Sequence, residues 1–200
     1  MARRMLGSRP MMRAALAVAL LAATSSVATA GTYVGLGLGT NGVYESTDRL
    51  LEDGRSLRLF VGYRFRPLQF GGSFAAEGAY TGYGMAINDH SGLVEYNAHQ
   101  VSAALRFNMP LADHFEGFGR LGLQHTSASA PISPIYDTSG NGFLIGAGIA
   151  YGFNLGIGSG AAVTVDYQLN KATLSGDRFA GSGAFGVLER QWTLGMALAF

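Results

Sequence analysis

From Gly31 onward, apolar and less apolar side chains alternate with a period of two residues; for example, Leu59 and Val61 alternate with Phe60 and Gly62. This period places successive side chains on opposite faces of a β-strand. The apolar face recurs in eight segments, at residues 32–38, 57–65, 70–80, 101–107, 117–123, 143–153, 163–169 and 192–200. The pattern predicts eight strands of roughly nine to eleven residues, the length of a tilted strand that crosses a bilayer.

The connections between the predicted strands alternate in length. The long ones are residues 40–55, 81–95, 126–141 and 171–185, and the short ones are residues 66–69, 110–114 and 154–159. An even number of up-and-down strands with long loops at one end and short turns at the other is typical of an outer-membrane barrel. We therefore predict an all-β fold for residues 31–200, an eight-stranded antiparallel up-and-down transmembrane β-barrel.

The composition indicates which face of this barrel points outward. A soluble barrel of the lipocalin type would bury its apolar face and expose its polar one. Here the less apolar face is rich in Gly, Ala and Ser, which suits a narrow lumen, and lysine occurs only at Lys171. A well-solvated surface would need more charge than this. We predict that the apolar face contacts lipid, with a soluble periplasmic lipocalin-like carrier as an alternative.

Aromatic residues support the lipid-facing assignment. They lie on the apolar face near both ends of the strands, and no charged residue lies between them on that face. Two such rings are typical of the two interfaces of a bilayer. The residues are Tyr63, Phe65, Phe107, Phe153 and Phe200 at the short-turn end, and Tyr80, Phe143, Tyr167 and Trp192 at the other end.

Residues 1–30 predict an export signal. Four arginines precede an apolar run at residues 14–23, and small residues follow up to Ala30, so we predict cleavage after Ala30. Cleavage would remove four positive charges and no negative ones, changing the formal balance from 14 − 13 to 10 − 13, a net charge of −3. The mature chain then has no basic stripe for nucleic acid. The absence of cysteine excludes disulfides and thiol catalysis.

Short motifs along the mature chain resemble those of small outer-membrane barrels. They are YVGLG at residues 33–37, VGYRF at 61–65, EGAY at 77–80, GAGIAY at 146–151 and LGMALAF at 194–200. The chain is similar to the OmpA-type and OmpX-type families over its whole mature length. Its ending, with Gly195, Leu198 and Phe200, is similar to the signal that the barrel assembly machinery reads. The resemblance does not extend to a peptidoglycan-binding domain, so we expect no cell-wall tether.

Charged residues on the inner face predict an ion-pair network. Eight strands enclose a lumen just wide enough for side chains to fill, and unpaired buried charge is costly. Four positive and four negative side chains are predicted to face inward: Arg58, Arg64, Arg106, Arg120, Glu77, Glu116, Asp166 and Glu189. If residues 66–69 form a four-residue turn, Phe65 lies opposite Phe70, and Arg58 lies opposite Glu77. A filled lumen disfavours a general diffusion pore, and a proton or ion path is a weaker alternative.

One group of residues suggests an enzymatic alternative. His125 and Ser127 share a face at the outer end of the fifth strand, and Asp137 follows in the next loop. A base, a nucleophile and an orienting carboxylate are the parts of an acyl hydrolase. The His125-Thr126-Ser127 segment is similar to the H-x-S pair of outer-membrane lipid A deacylases. That family has Asn after the serine and a Glu in the triad, whereas here Ala128 follows and only Asp137 is available.

We predict a non-enzymatic integral outer-membrane protein that presents four long extracellular loops and is not a general diffusion pore. Loops on a rigid scaffold usually carry the binding chemistry, so adhesion or another surface interaction fits. The expected partners are outer-membrane lipid, lipopolysaccharide and, during biogenesis, the barrel assembly machinery. We expect a monomer with no metal, no cofactor and no nucleic acid; the sequence does not identify a surface ligand.

Overall fold

The computed structural model describes residues 31–45, 50–66, 68, 72–89, 92–129, 138–156, 159–175 and 185–200. Its strands are β1 (Thr32–Glu45), β2 (Leu50–Arg64), β3 (Ser73–Asp89), β4 (Gly92–Ala112), β5 (Phe115–Ser129), β6 (Thr138–Gly156), β7 (Ser159–Ser175) and β8 (Phe185–Ala199). Each strand pairs antiparallel with the next, and β8 pairs with β1 to close a barrel. The predicted up-and-down barrel is confirmed. Within the described ranges, no helix is long and apolar enough to span a membrane. The predicted export signal and its cleavage site lie outside the described residues.

The strands are longer than the sequence predicts, from 14 residues in β1 to 21 in β4. Strands β3 and β4 remain paired up to Asp89 and Gly92, so most of the predicted loop at residues 81–95 is a hairpin. Pairing likewise continues into the ends of the other three predicted long loops. The prediction of nine to eleven residues was wrong because lipid imposes apolar alternation only within the bilayer, whereas backbone pairing continues in water.

The two faces of the wall have the predicted polarity. Large apolar side chains point outward and are exposed; Leu123 is 72% exposed and Leu38 is 63% exposed. The inner face holds buried polar side chains such as Gln100, Gln168 and Gln191. A soluble protein rarely exposes an apolar surface of this extent, so the arrangement does not support the lipocalin-like alternative.

Aromatic side chains form contacts near both ends of the outer face. At the short-turn end, the Phe74 and Phe107 rings lie 5.2 Å apart, and those of Phe115 and Tyr151 lie 5.0 Å apart. Towards the other end, the Tyr167 and Trp192 rings lie 4.8 Å apart. These positions agree with the two predicted aromatic rings, of which Phe74, Phe115 and Tyr151 are additional members.

The register around the barrel fixes its width. We start at Tyr33 and move from each residue to its backbone partner on the next strand. One full circuit of the barrel returns to β1 at Val43, ten residues closer to the long-loop end. Eight strands with this stagger are strongly tilted and enclose a lumen that side chains can fill. Close packing is visible at Gly62, where an added Cβ would lie 2.2 Å from Cζ of Tyr33.

The β2–β3 register differs from the predicted one. Phe65 N donates to Phe74 O at 2.8 Å, so Phe65 does not face Phe70 across a four-residue turn. Arg58 is the backbone partner of Thr81, and Glu77 is the partner of Gly62. The prediction was wrong by four residues because residues 66–69 are only part of the connection between β2 and β3. Apolar periodicity alone does not mark that connection's ends.

Candidate functional site

Glu77 of β3 is the centre of a buried charge cluster in the lumen. Arg58 Nη2 donates to Glu77 Oε1 at 2.7 Å. Arg106 Nη1 lies 3.6 Å from Oε2, and Arg120 Nη1 lies 3.5 Å from Oε1. These side chains are 5% exposed or less. One carboxylate therefore faces three guanidinium groups, which come from β2, β4 and β5.

Asp166 of β7 supplies a second anion on the opposite wall. Arg58 Nη1 lies 3.6 Å from Asp166 Oδ1, and Arg120 Nη2 lies 3.5 Å from Oδ2. Each arginine thus contacts both Glu77 and Asp166, so ion pairs cross the lumen between β2, β3, β5 and β7.

The cluster extends towards the short-turn end through Glu116. Arg64 Nη2 donates to Glu116 Oε1 at 2.8 Å, and Arg106 Nη2 lies 3.6 Å from the same oxygen. The Arg64 side chain is 40% exposed, which marks the approach to solvent. Seven of the eight predicted lumen residues therefore lie in one continuous network.

Glu189 of β8 is the exception among the eight. In the part of the chain that the structure describes, it forms no ion pair; Asn170 Nδ2 donates to its Oε2 at 3.1 Å. Asn170 in turn accepts from Gln168 Nε2 at 2.6 Å, and Gln168 Oε1 accepts from Arg58 at 3.1 Å. Two amides thus connect Glu189 to the arginine cluster. Beside Glu189, Thr126 and Tyr83 line a cavity of about 10 Å³, room for about one water molecule.

The network includes aromatic residues that the sequence interpretation did not select. The Tyr33 hydroxyl donates to Glu77 Oε2 at 3.0 Å. The Arg106 guanidinium lies 3.7 Å from the centre of the Phe118 ring, a cation–π contact. Both aromatic residues occupy inward positions of the alternation, so the facing pattern could have identified them. Counting only charged residues missed them.

A second arrangement lies on the outer face of β5, at the end opposite the short turns. His125 Nε2 lies 3.4 Å from Ser127 Oγ, and His125 Nδ1 lies 2.8 Å from Asn141 Oδ1 on the neighbouring β6. The predicted third member, Asp137, lies outside the described residues. Asn141 is the backbone partner of His125, so only the β5–β6 register could have identified it.

The end of β8 closes the barrel. Phe200 N donates to Thr32 O at 2.9 Å, and Leu198 is the backbone partner of Val34 on β1. Leu198 and Phe200 point outward and are exposed, whereas Gly195 lies on the inner face. Recognition of these three residues by the assembly machinery stays a prediction.

Comparisons with known proteins agree with this architecture. The family model for the outer membrane protein beta-barrel domain matches residues 13–200. The structure of Ail, the attachment invasion locus protein of Yersinia pestis, is similar at 16% identity, covering 85% of this chain and 98% of that chain, with a TM-score of 0.52. Neisserial surface protein A is similar at 16% identity, covering 84% and 97%, with a TM-score of 0.63. No curated protein sequence matches the chain. At these identities, the two structures share the fold. The protein therefore belongs to the outer membrane protein β-barrel family, and this membership places it in the outer membrane.

Proposed function

We propose that the protein is a sealed scaffold in the outer membrane that does not conduct solutes and that displays its extracellular end for surface interactions. The observation that carries this proposal is the set of ion pairs that Arg58 and Arg120 make with Glu77 and Asp166 across the lumen. A general diffusion pore needs an open aqueous path, which porins obtain from 16 or more strands. Here the charges are buried and paired, so opening the lumen would expose or separate them at considerable cost.

The test of the sealed lumen is electrical. The purified, folded barrel is inserted into a planar lipid bilayer, with a general diffusion porin as the positive control for insertion and recording. We expect no stable conductance steps from the barrel, while the porin conducts under the same voltage. A long-lived open level that scales with the number of inserted barrels would overturn the proposal.

Surface display has its own test. Short turns face the periplasm in bacterial barrels, so the opposite strand ends and the connection at residues 130–137 would lie outside the cell. We expect an epitope inserted in residues 130–137 to be labelled by antibody on intact cells, and one inserted between Asp113 and His114 to be labelled only after permeabilisation. The reverse pattern would refute the orientation.

The arrangement of Ser127, His125 and Asn141 favours a second candidate, an acyl hydrolase acting on an outer-membrane lipid. In this reaction His125 Nε2 takes the proton of Ser127 Oγ while Oγ attacks the acyl carbonyl. The proton then passes to the departing alcohol oxygen as its bond to the acyl carbon breaks. Water hydrolyses the acyl-serine by the same route. Asn141 Oδ1 would accept a hydrogen bond from Nδ1–H and hold the imidazole in the required tautomer.

Mass spectrometry of lipid A from cells that express the barrel tests this candidate. If the pair is catalytic, wild-type expression removes an acyl chain from lipid A and Ser127→Ala abolishes the change. Ser139→Ala is the matched control because Ser139 is the outward-facing backbone partner of Ser127. Unchanged lipid A in cells with confirmed folded barrel would exclude the hydrolase and leave the sealed scaffold.

A further inference from the structure

Basic side chains point outward from five different strands in the extracellular half of the barrel. They are Arg55, His99, His125, Lys171 and Arg190, on β2, β4, β5, β7 and β8. Among the strand residues whose side chains the structure describes, no carboxylate faces outward. The outward charge of this half is therefore of one sign in the described residues.

The register places these five side chains at one height. We measure height along the barrel axis in residues of β1. Moving from a residue to its backbone partner on each next strand gains ten residues of height in one circuit of eight strands, so each step gains about 1.25 residues. Arg55 lies one step from Thr40 of β1, and Lys171 lies six steps from Val34. Both reach a height equivalent to about position 41 of β1.

The other three residues reach the same height. His99 lies three steps from Leu38, and His125 lies four steps from Leu36. Arg190 is one step below Gly42. All five therefore lie within about one residue of each other, or about 2.5 Å along the axis for strands tilted by about 40°. We call these five residues the basic belt.

The layers on either side of the belt have distinct chemistry. Just below it lie aromatic residues, including Tyr167 with Trp192, and Tyr80, whose ring stacks against His99 with centroids 6.2 Å apart. Just above it, hydroxyl and amide side chains point outward; they are Ser127, which is half-buried, and the exposed Ser139, Asn141, Thr173 and Ser175. From the bilayer centre outward, the wall therefore presents aliphatic, aromatic and cationic side chains, followed on β5, β6 and β7 by neutral polar ones.

We propose that the basic belt binds the phosphate groups of a phosphorylated glycolipid in the outer leaflet, with the belt arc from β7 through β8 to β2 as its main site. The chemical layers match such a lipid: acyl chains against the apolar wall, phosphates at the cations, and sugar hydroxyls against Thr173 and Ser175, which lie above Lys171 on β7. Lys171 and Arg190 occupy adjacent strands above the Tyr167–Trp192 pair, so one phosphate can contact both cations. A phospholipid such as phosphatidylglycerol would leave Thr173 and Ser175 without a sugar to bind.

Native mass spectrometry of the folded barrel in detergent tests this proposal with three lipids: diphosphorylated lipid A, dephosphorylated lipid A and phosphatidylglycerol. The variant is Arg55→Gln/Lys171→Gln/Arg190→Gln, and the control is Arg66→Gln, an exposed cation at the short-turn end. We expect diphosphorylated lipid A to bind tightest to wild type. The triple variant should bind it about a hundredfold more weakly, because each cation near an anionic surface contributes a substantial share of the affinity. Arg66→Gln should bind as wild type does.

Each other outcome overturns part of the proposal. Equal binding of dephosphorylated lipid A would show that phosphate is not recognised, and equal binding of phosphatidylglycerol would show that the sugar is not. Equal losses in Arg66→Gln and the triple variant would refute the belt as the site. A gel mobility shift on boiling confirms that each variant is folded. If the triple variant does not fold, Arg55→Gln and Lys171→Gln replace it, each with an expected loss of about fivefold, and unchanged binding in both would also refute the belt.

Discussion

Gly62→Ala is expected to destabilise the barrel because the new methyl group would overlap the Tyr33 ring. The added Cβ would lie 2.2 Å from Tyr33 Cζ and 2.4 Å from its hydroxyl oxygen. The ring has little room to move, because its hydroxyl donates to Glu77 and its edge packs against Phe60 at a centroid distance of 6.2 Å. Overpacking costs about 1–3 kcal/mol, and weakening a hydrogen bond to a charged group about 1.5–3 kcal/mol. We therefore expect Gly62→Ala to lower the free energy of unfolding by about 2–4 kcal/mol.

Gly78→Ala is the matched control. Gly78 is the backbone partner of Val61 on the outer face, and an added Cβ there would have no neighbour closer than Ser102 O at 3.9 Å. The same chemical change should therefore be neutral or stabilise by up to about 1 kcal/mol, since glycine weakens a strand. Urea unfolding in lipid vesicles measures both variants, with Trp192, the one tryptophan and 57% exposed towards lipid, as the fluorescent reporter.

A double-mutant cycle identifies the cause. Tyr33→Leu should remove most of the penalty of Gly62→Ala, because the smaller side chain leaves space for the new methyl group, and the two effects should be strongly non-additive. Equal stability of Gly62→Ala and Gly78→Ala would refute the close contact between Gly62 and Tyr33. Additive effects of Gly62→Ala and Tyr33→Leu would refute it as well.

Three further predictions concern the lipid face, the charge cluster and assembly. Val61→Arg should lower the free energy of unfolding in vesicles by about 2–4 kcal/mol, because Val61 faces lipid midway between the aromatic rings. Val61→Thr should lower it much less, and similar losses in the two variants would show that the charge of the new side chain does not cause the loss. Glu77→Ala should cost about 3–5 kcal/mol in the same assay, because it leaves the three arginines without their shared anion, and a loss below about 1 kcal/mol would contradict the central role of Glu77. Deletion of Phe200 should reduce the folded barrel in outer-membrane fractions, measured by the gel mobility shift on boiling, and normal levels would refute the assembly signal.

The sequence predicted on which face of the wall each side chain lies, because successive side chains of a strand alternate between the lipid and the lumen. Val61 and Gly62 illustrate this: one points to lipid and the other is packed against Tyr33. The strand ends were not predictable, since beyond the bilayer β3 and β4 pair through polar and small residues that carry no apolar alternation. Periodicity therefore located the membrane-facing wall and missed its extension into water.

The sequence predicted which charged residues face the lumen, but it did not predict the register that sets their positions. Arg58 and Glu77 do form an ion pair at 2.7 Å, although their backbones are offset by four residues. Long side chains that point into one narrow lumen meet despite such an offset. Glu189 also faces inward as predicted, but its hydrogen-bond partner is Asn170. Its position along the barrel axis depends on the register of all eight strands, which the sequence did not give. The contact between Asn141 and His125 likewise depends on the β5–β6 register and could not be predicted without it.

Spin labelling along β2 measures whether the apolar wall contacts lipid up to the basic belt. The chain has no cysteine, so single cysteines can be placed and labelled at Arg55, Leu57, Leu59, Val61 and Tyr63. In vesicles, collision with lipid-soluble oxygen should peak at Val61, while collision with a water-soluble nickel chelate should be greatest at Arg55 and fall steadily to Val61. Nickel collisions at Leu59 and Val61 as frequent as those at Arg55 would show that water, and not lipid, surrounds this part of the wall.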